Sequence, residues 1–252
     1  MIGSADVTPY DLRFRLLDVP VRVSPWFWLI MAIVGGRSDL IGAAVFVACG
    51  FVSILAHEFG HGLSSRALGL EPTGIVLYGM GGYCEYPGWH GNLWHRLLTL
   101  LAGPAAGFLL FALVLAGASS VYHVPANDLA ALVGVGRGDP VVALMAIGYI
   151  QQSPAGLAVY FLLLINFWWG VINLLPVWPL DGGRVTQVVL LGFNPHRAAA
   201  WTHLISIVAA LGTAVWLYSP GIPWNSLLFG YFAYINYTAY QNLNRFTTWD
   251  GG

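Results

Sequence analysis

Ser53-Ile54-Leu55-Ala56-His57-Glu58-Phe59-Gly60-His61-Gly62-Leu63-Ser64-Ser65-Arg66 is the stretch around which the rest of the chain has to be read. His57, Glu58 and His61 form H-E-x-x-H. Histidines four apart lie one turn apart on one face of a helix, and that face can offer two imidazole nitrogens to one zinc ion. Glu58 follows the first of them directly, placed to take a proton from a water held by the metal. The preceding run, Leu40 to Ala56, has no charged side chain. The motif therefore sits at the end of a segment suited to cross a bilayer. Ionisable groups at membrane depth cost about 2.5–3.5 kcal/mol each, so a cluster of three points to function.

Composition agrees with a membrane setting. Of 252 residues, 58% are hydrophobic and 8% charged, against about 25% charged in a soluble domain. Too few polar side chains exist to cover a water-facing surface. The formal net charge of −1 gives no ground for a nucleic-acid partner. Cys49 in an apolar stretch and Cys84 in a polar-flanked one make no disulfide framework. The segment Met1 to Pro20 carries Asp6, Asp11, Arg13, Arg15 and Asp18 before any apolar run, which is not a signal-peptide layout.

Six segments are expected to cross, given about 20 apolar residues per span. They are 24–36, 40–68 with Gly69 as its cap, 96–118, 155–175, 198–218 and 224–242. Gly35, Gly36, Arg37 and Asp39 turn the chain after the first, and Ser219 to Pro223 join the last two. Between the second and third, Thr73 to Tyr78 and Tyr83 to Tyr86 are β-prone and Gly79 to Gly82 separate them, which predicts a hairpin. The glycines of Gly103-Pro104-Ala105-Ala106-Gly107 allow close helix approach, with a kink at Pro104. Val141 to Ile150 is too short to span and predicts a surface or partly inserted helix. The expected fold class is an all-α polytopic membrane protein of about six helices, with a small membrane-associated β-hairpin between helices two and three. It is read as a single domain over 1–252 with its core at 40–185.

A catalytic zinc usually keeps three protein ligands and an open position. Asp181 is the strongest third candidate. It ends Asn173-Leu174-Leu175-Pro176-Val177-Trp178-Pro179-Leu180-Asp181-Gly182-Gly183, a broken helix that membrane depth tolerates only against protein or a water-filled cavity. His90, His95, Glu71 and Glu85 remain as alternatives, while His123, His196 and His203 read as interfacial or packing histidines. Ser64, Ser65 and Arg66 suit the mouth of a water path.

The pairing of His57-Glu58-x-x-His61 with Asn173-Leu-Leu-Pro-x-x-Pro-Leu-Asp181-Gly182 resembles the site-2 protease family of intramembrane zinc metalloproteases. Gly81-Gly82-Tyr83 and Gly103-Pro104 are similar to that family as well, and the likeness covers about residues 40–185. The sequence departs at Gly107, where the family often carries Asn. The resemblance implies one Zn2+ per chain held by His57, His61 and Asp181, with Glu58 as catalytic base. It implies Asn173 as a residue that holds the substrate or polarises its carbonyl. Gly81 and Gly82 would let a substrate strand approach. The implied activity is peptide hydrolysis in or near the transmembrane segment of single-span membrane proteins. The expected setting is the lipid bilayer of a prokaryotic cell membrane, and the distribution of arginines predicts a cytoplasmic amino terminus and active-site side. The family's PDZ-like and nucleotide-sensing additions have no counterpart in these residues, and nothing here bears on oligomeric state. A rival reading is a zinc-binding scaffold or transporter without protease activity. It has no use for Glu58, and no inverted second half is visible. A serine protease would need a facing Ser and His pair, which the sequence does not offer.

Overall fold

The computed structural model describes residues 6–36, 39–85, 92–151, 153–218 and 224–249. Arg37, Tyr86, His90 and the join from Ser219 to Pro223 lie outside the described residues. Contacts divide the chain into two compact units, Met1–Trp89 with Ala102–Gly170, and His90–Leu101 with Val171–Gly252.

The first unit opens on a sheet. Strands β1 (Leu12–Leu16) and β2 (Val19–Val23) form a hairpin in register Leu16↔Val19. Leu17 and Asp18 turn it with φ of 50° and 63°, the positive values that a two-residue hairpin loop needs. β2 then runs parallel to β3 (Gly74–Tyr78), and β3 pairs antiparallel with β4 (Gly81–Glu85), giving the order β1-β2-β3-β4. The expected hairpin is therefore half of a four-stranded sheet. Leu12-Arg13-Phe14-Arg15-Leu16 and Val19-Pro20-Val21-Arg22-Val23 do alternate with period two, the sign of a half-buried strand. One face buries Val19, Val21, Val23, Ile75 and Leu77 against Phe27 and Met31 of α1 (Pro25–Gly35) and Ile54, Leu55 and Phe59 of α2 (Leu40–Ala67). Sheet and metal-motif helix thus share one core.

Local signals fix the ends of these helices. Ser24 caps α1 by accepting from the Trp26 N–H, and Gly36 closes it at φ 55°. Asp39 caps α2 by accepting from the Gly42 N–H at 2.7 Å. At the far end of α2 the Leu70 N–H bonds Ser65 O and the Gly69 N–H bonds Arg66 O. With Gly69 at φ 88°, this is a Schellman motif, and the Gly69 expectation holds. Ser65 is spent on that end, because it is buried and its hydroxyl donates to Leu70 O. Arg66 pairs with Glu71 at 3.0 Å.

The unit continues through α3 (Leu93–Tyr122) from Ala102, α4 (Ala126–Ala131), α5 (Pro140–Ile150) and α6 (Pro154–Asn173) as far as Gly170. α3 runs on through Pro104 as a single helix, and α5 is the short apolar helix expected at 141–150.

The second unit holds α7 (Asp181–Phe193), α8 (Ala198–Trp216) and α9 (Trp224–Trp249). Its core joins Val177 to Ala210 of α8 and to Phe229, Phe232 and Ala233 of α9.

Among the described residues, four helices are long and apolar enough to cross a membrane: α2, α3, α6 and α8. Leu109 and Leu113 of α3 and Val208 and Val215 of α8 are exposed, as lipid-facing side chains would be. The other two of the six expected spans do not meet that measure. The 11 residues of α1 give about 16 Å, half of a bilayer core. α9 has the length but carries Asn236, Gln241 and Asn242. The architecture is mostly helical and multi-pass, with a small sheet.

Candidate metal centre

The i,i+4 spacing does on α2 what it predicts. The Nε2 atoms of His57 and His61 lie 3.2 Å apart, with ring centroids at 4.9 Å. Both rings are buried, and so is Glu58 between them in sequence. Buried imidazoles with converging nitrogens are a donor set for one cation.

Space for that cation depends on α3. A β-carbon at Gly60 would overlap Ala102 O and come within 2.8 Å of Ala106 Cβ, so the two helices touch backbone to backbone. A β-carbon at Gly103 would meet Nε2 and Cε1 of His61 and lie 2.8 Å from Nε2 of His57. Glycine at 103 therefore leaves open the region toward which both nitrogens point. Residues and space fit a metal ion.

β4 approaches from the sheet side. Gly81 takes φ 126°, a conformation that favours glycine. A β-carbon at Gly82 would lie 2.7 Å from Glu58 Cγ and 2.9 Å from Glu58 Oε1. The strand backbone thus passes directly over the Glu58 side chain. On the same strand, Cys84 Sγ packs towards Gly62, 3.4 Å from where its β-carbon would be. Burial pushes the Cys84 thiol up to about 12, with help from the charges of Glu58 and Glu85. It stays a thiol at neutral pH.

One turn before His57, Ser53 accepts a hydrogen bond from Asn166 Nδ2 of α6 at 2.9 Å, and both residues are buried. This tie between α2 and α6 is invisible in the sequence, where Asn166 looks like one polar residue in an apolar helix.

In the second unit, Asn173 is buried at the end of α6. Asp181 is buried at the first position of α7, where a helix N-terminus favours a carboxylate. His57, His61 and Asp181 together make a buried group that could hold a metal ion, the one such group among the described residues. Of the alternatives, His90 lies outside the described residues. Glu71 pairs with Arg66, Glu85 is exposed, and His95 belongs to no such group.

The model of peptidase family M50 matches residues 45–215. A zinc metalloprotease of Methanocaldococcus jannaschii is 25% identical over 186 residues, 72% of this chain and 46% of that protein. Stage IV sporulation protein FB of Bacillus subtilis is 27% identical over 185 residues, 73% of this chain and 52% of that one. The chain thus spans about half the length of these relatives. In fold it resembles the structure titled site-2 protease from Methanocaldococcus jannaschii. The TM-score is 0.51, over 94% of both chains at 19% identity.

Proposed function

The chain belongs to peptidase family M50, and from that premise we propose that it is an intramembrane zinc metalloprotease cutting single-span membrane proteins in or near their transmembrane segments. The observation that carries this is the buried His57, His61 and Asp181 group with Glu58 beside it on α2. His57 and His61 would each give an Nε2 to zinc, and Asp181 a carboxylate oxygen. Zinc bound there supplies Lewis-acid polarisation of a carbonyl and a coordinated water whose pKa is lowered toward about 7. Glu58 accepts the proton of the attacking water and returns it to the leaving amine. Asn173 hydrogen-bonds the substrate or its carbonyl oxygen. The purified chain, incubated with zinc and single-span substrates, should cut them, and a chelator should stop it. Cleavage that persists after full metal removal would exclude this reading.

An intact helix hides its carbonyls in hydrogen bonds that lipid makes costly to break. An unwound substrate needs replacement partners, and a strand edge provides them. β4 is an edge of the sheet among the described residues and passes over Glu58, which supports strand addition there. Val76 is not on the edge, since β3 pairs on both sides with Arg22↔Val76 and Val76↔Tyr83. The test therefore belongs on β4. The Tyr83 N–H faces Val76 across the ladder, so Cys84→Pro, which removes a donor from the free side of β4, should reduce cleavage and leave metal content unchanged. Substrates with Gly or Asn in the span should be cut faster than a uniform Leu span, because they unwind more easily. Equal rates for the two spans at matched binding would count against strand addition.

For orientation, a cytoplasmic amino terminus with six crossings leaves Arg13, Arg15, Arg22, Arg66, Arg96, Arg184, Arg197 and Arg245 inside. Only Arg37 and Arg137 then fall outside, which suits the positive-inside rule. His57 is ten residues from the end of α2 at Ala67, about 15 Å in along the helix. Thiol labelling of single engineered cysteines should place residues 70–85 on the cytoplasmic side. Labelling there by an impermeant outside reagent would reverse the topology.

A further inference from the structure

The backbone ahead of Asp181 is held by side chains that the reaction itself does not use. The N-cap of α7, Leu180, makes no side-chain cap bond. Instead, the segment from Leu174 to Leu180 is folded against the first turn of α7. A β-carbon at Gly182 would overlap Leu174 O and Leu175 O, and one at Gly183 would overlap Trp178 N. On its other side, Trp178 is gripped at both backbone groups. Its N–H donates to Ser206 Oγ of α8 at 2.9 Å. Its carbonyl accepts from Asn236 Nδ2 of α9 at 2.6 Å. The same Nδ2 donates to Phe232 O at 2.8 Å, so that end of the amide faces two carbonyls and must be the nitrogen. Asn236 Oδ1 then lies 2.8 Å from His203 Nδ1, and that ring nitrogen carries the proton. The His203 ring also stands edge-on to Trp178, with centroids 5.9 Å apart. Asn236 and Ser206 are both 0% exposed.

We infer that Asn236 and His203 are positioning residues for Asp181: through the Trp178 backbone, three residues upstream, they fix where the carboxylate stands. The inference rests on the reading of Asp181 as a metal ligand. Every polar atom of the Asn236 side chain is used, and polar groups left unpaired at membrane depth are costly. The Trp178 carbonyl therefore has one stable place. Partners that orient a ligand from behind typically account for about 10–100-fold in metal affinity.

The experiment is a double-mutant cycle on metal affinity in the full chain, read by competition with a chromophoric chelator and by the visible spectrum of the cobalt-loaded protein. Asn236→Leu is expected to weaken binding by about 10–100-fold and to shift the cobalt bands. In an Asp181→Ala background the same substitution should cost nothing further, because the ligand it positions is gone. His203→Asn, which can still donate to Asn236 Oδ1, should bind nearly as tightly as the parent, while His203→Leu should not. That pair keeps the test open if Asn236→Leu fails to fold. Equal losses from Asn236→Leu or His203→Leu with and without Asp181 would mean a general packing role and overturn the inference, as would a parental affinity in both Leu variants. If Asp181→Ala alone leaves affinity unchanged, the ligand assignment falls first and the positioning role falls with it.

Discussion

Glu58→Gln is expected to keep the metal and to lose cleavage by about 10³-fold, near 4 kcal/mol of transition-state stabilisation. The change is small in shape. The Glu58 side chain lies under the β4 backbone at Gly82, and an amide of the same length fits the same volume. What disappears is a base. Glutamine cannot take the proton of the attacking water or hand it to the leaving nitrogen. Because Glu58 is not among the three residues that could hold the ion, zinc content should stay at the parental level. Metal analysis and a single-turnover cleavage assay on the same preparation separate the two effects. Cleavage at the parental rate with full zinc would remove Glu58 from the mechanism. Loss of zinc together with cleavage would make it a ligand.

The motif helix was legible in the sequence because its information is local. Spacing puts His57 and His61 on one face, Leu40 to Ala56 ahead of them carries no charged side chain, and Gly69 marks the far end of α2. The broken segment before Asp181 was legible for the same reason, since prolines and glycines announce it. The sheet was legible only in part. β3 and β4 carry β-prone, glycine-punctuated sequence, but β1 and β2 alternate Arg with apolar residues, and the charges read as a polar lead. Pairing of β2 with β3 joins residues more than fifty apart, which no local pattern reports. Of the six expected spans, four helices among the described residues are long and apolar enough to cross, since hydropathy alone does not show how long a helix will be. Val21 and Val23 go into the sheet and α1 keeps 11 residues. Tertiary ties were the least visible. His203 reads as a packing histidine, and it does pack, but its bond to Asn236 exists only once α8 and α9 are side by side. Gly103 reads as one of several small residues that allow close approach; which atoms approach is a property of the folded pair α2 and α3.

Gly103→Ala is expected to abolish metal binding without unfolding the chain, and the two halves of that statement have opposite signs. In a helix interior Ala is favoured over Gly by about 1 kcal/mol, so α3 itself gains. The added methyl, however, falls on Nε2 and Cε1 of His61 and 2.8 Å from Nε2 of His57. Something must move. The helices cannot part easily, because Gly60 and Ala102 are already in contact through backbone, and opening that seam would expose packed surface. The imidazoles sit at the ends of rotatable side chains, so they are what gives way. Turning either ring takes its nitrogen off the shared point, and losing one of three ligands leaves an incomplete site. Zinc per chain should fall to background and cleavage with it, while the apo protein unfolds within a few degrees of the parental apo protein. The comparison must be made apo against apo, since bound metal stabilises the parent by mass action. Full zinc occupancy in Gly103→Ala would show that the metal lies away from the face of α2 turned toward α3. A collapse of apo stability would show instead that the methyl forces the helices apart. Gly107→Ala is the matched control on the same helix face, one turn along. There the new β-carbon lies 3.6 Å from Asn166 O and 3.9 Å from Asn166 Oδ1, which is ordinary contact, so metal binding and cleavage should both survive.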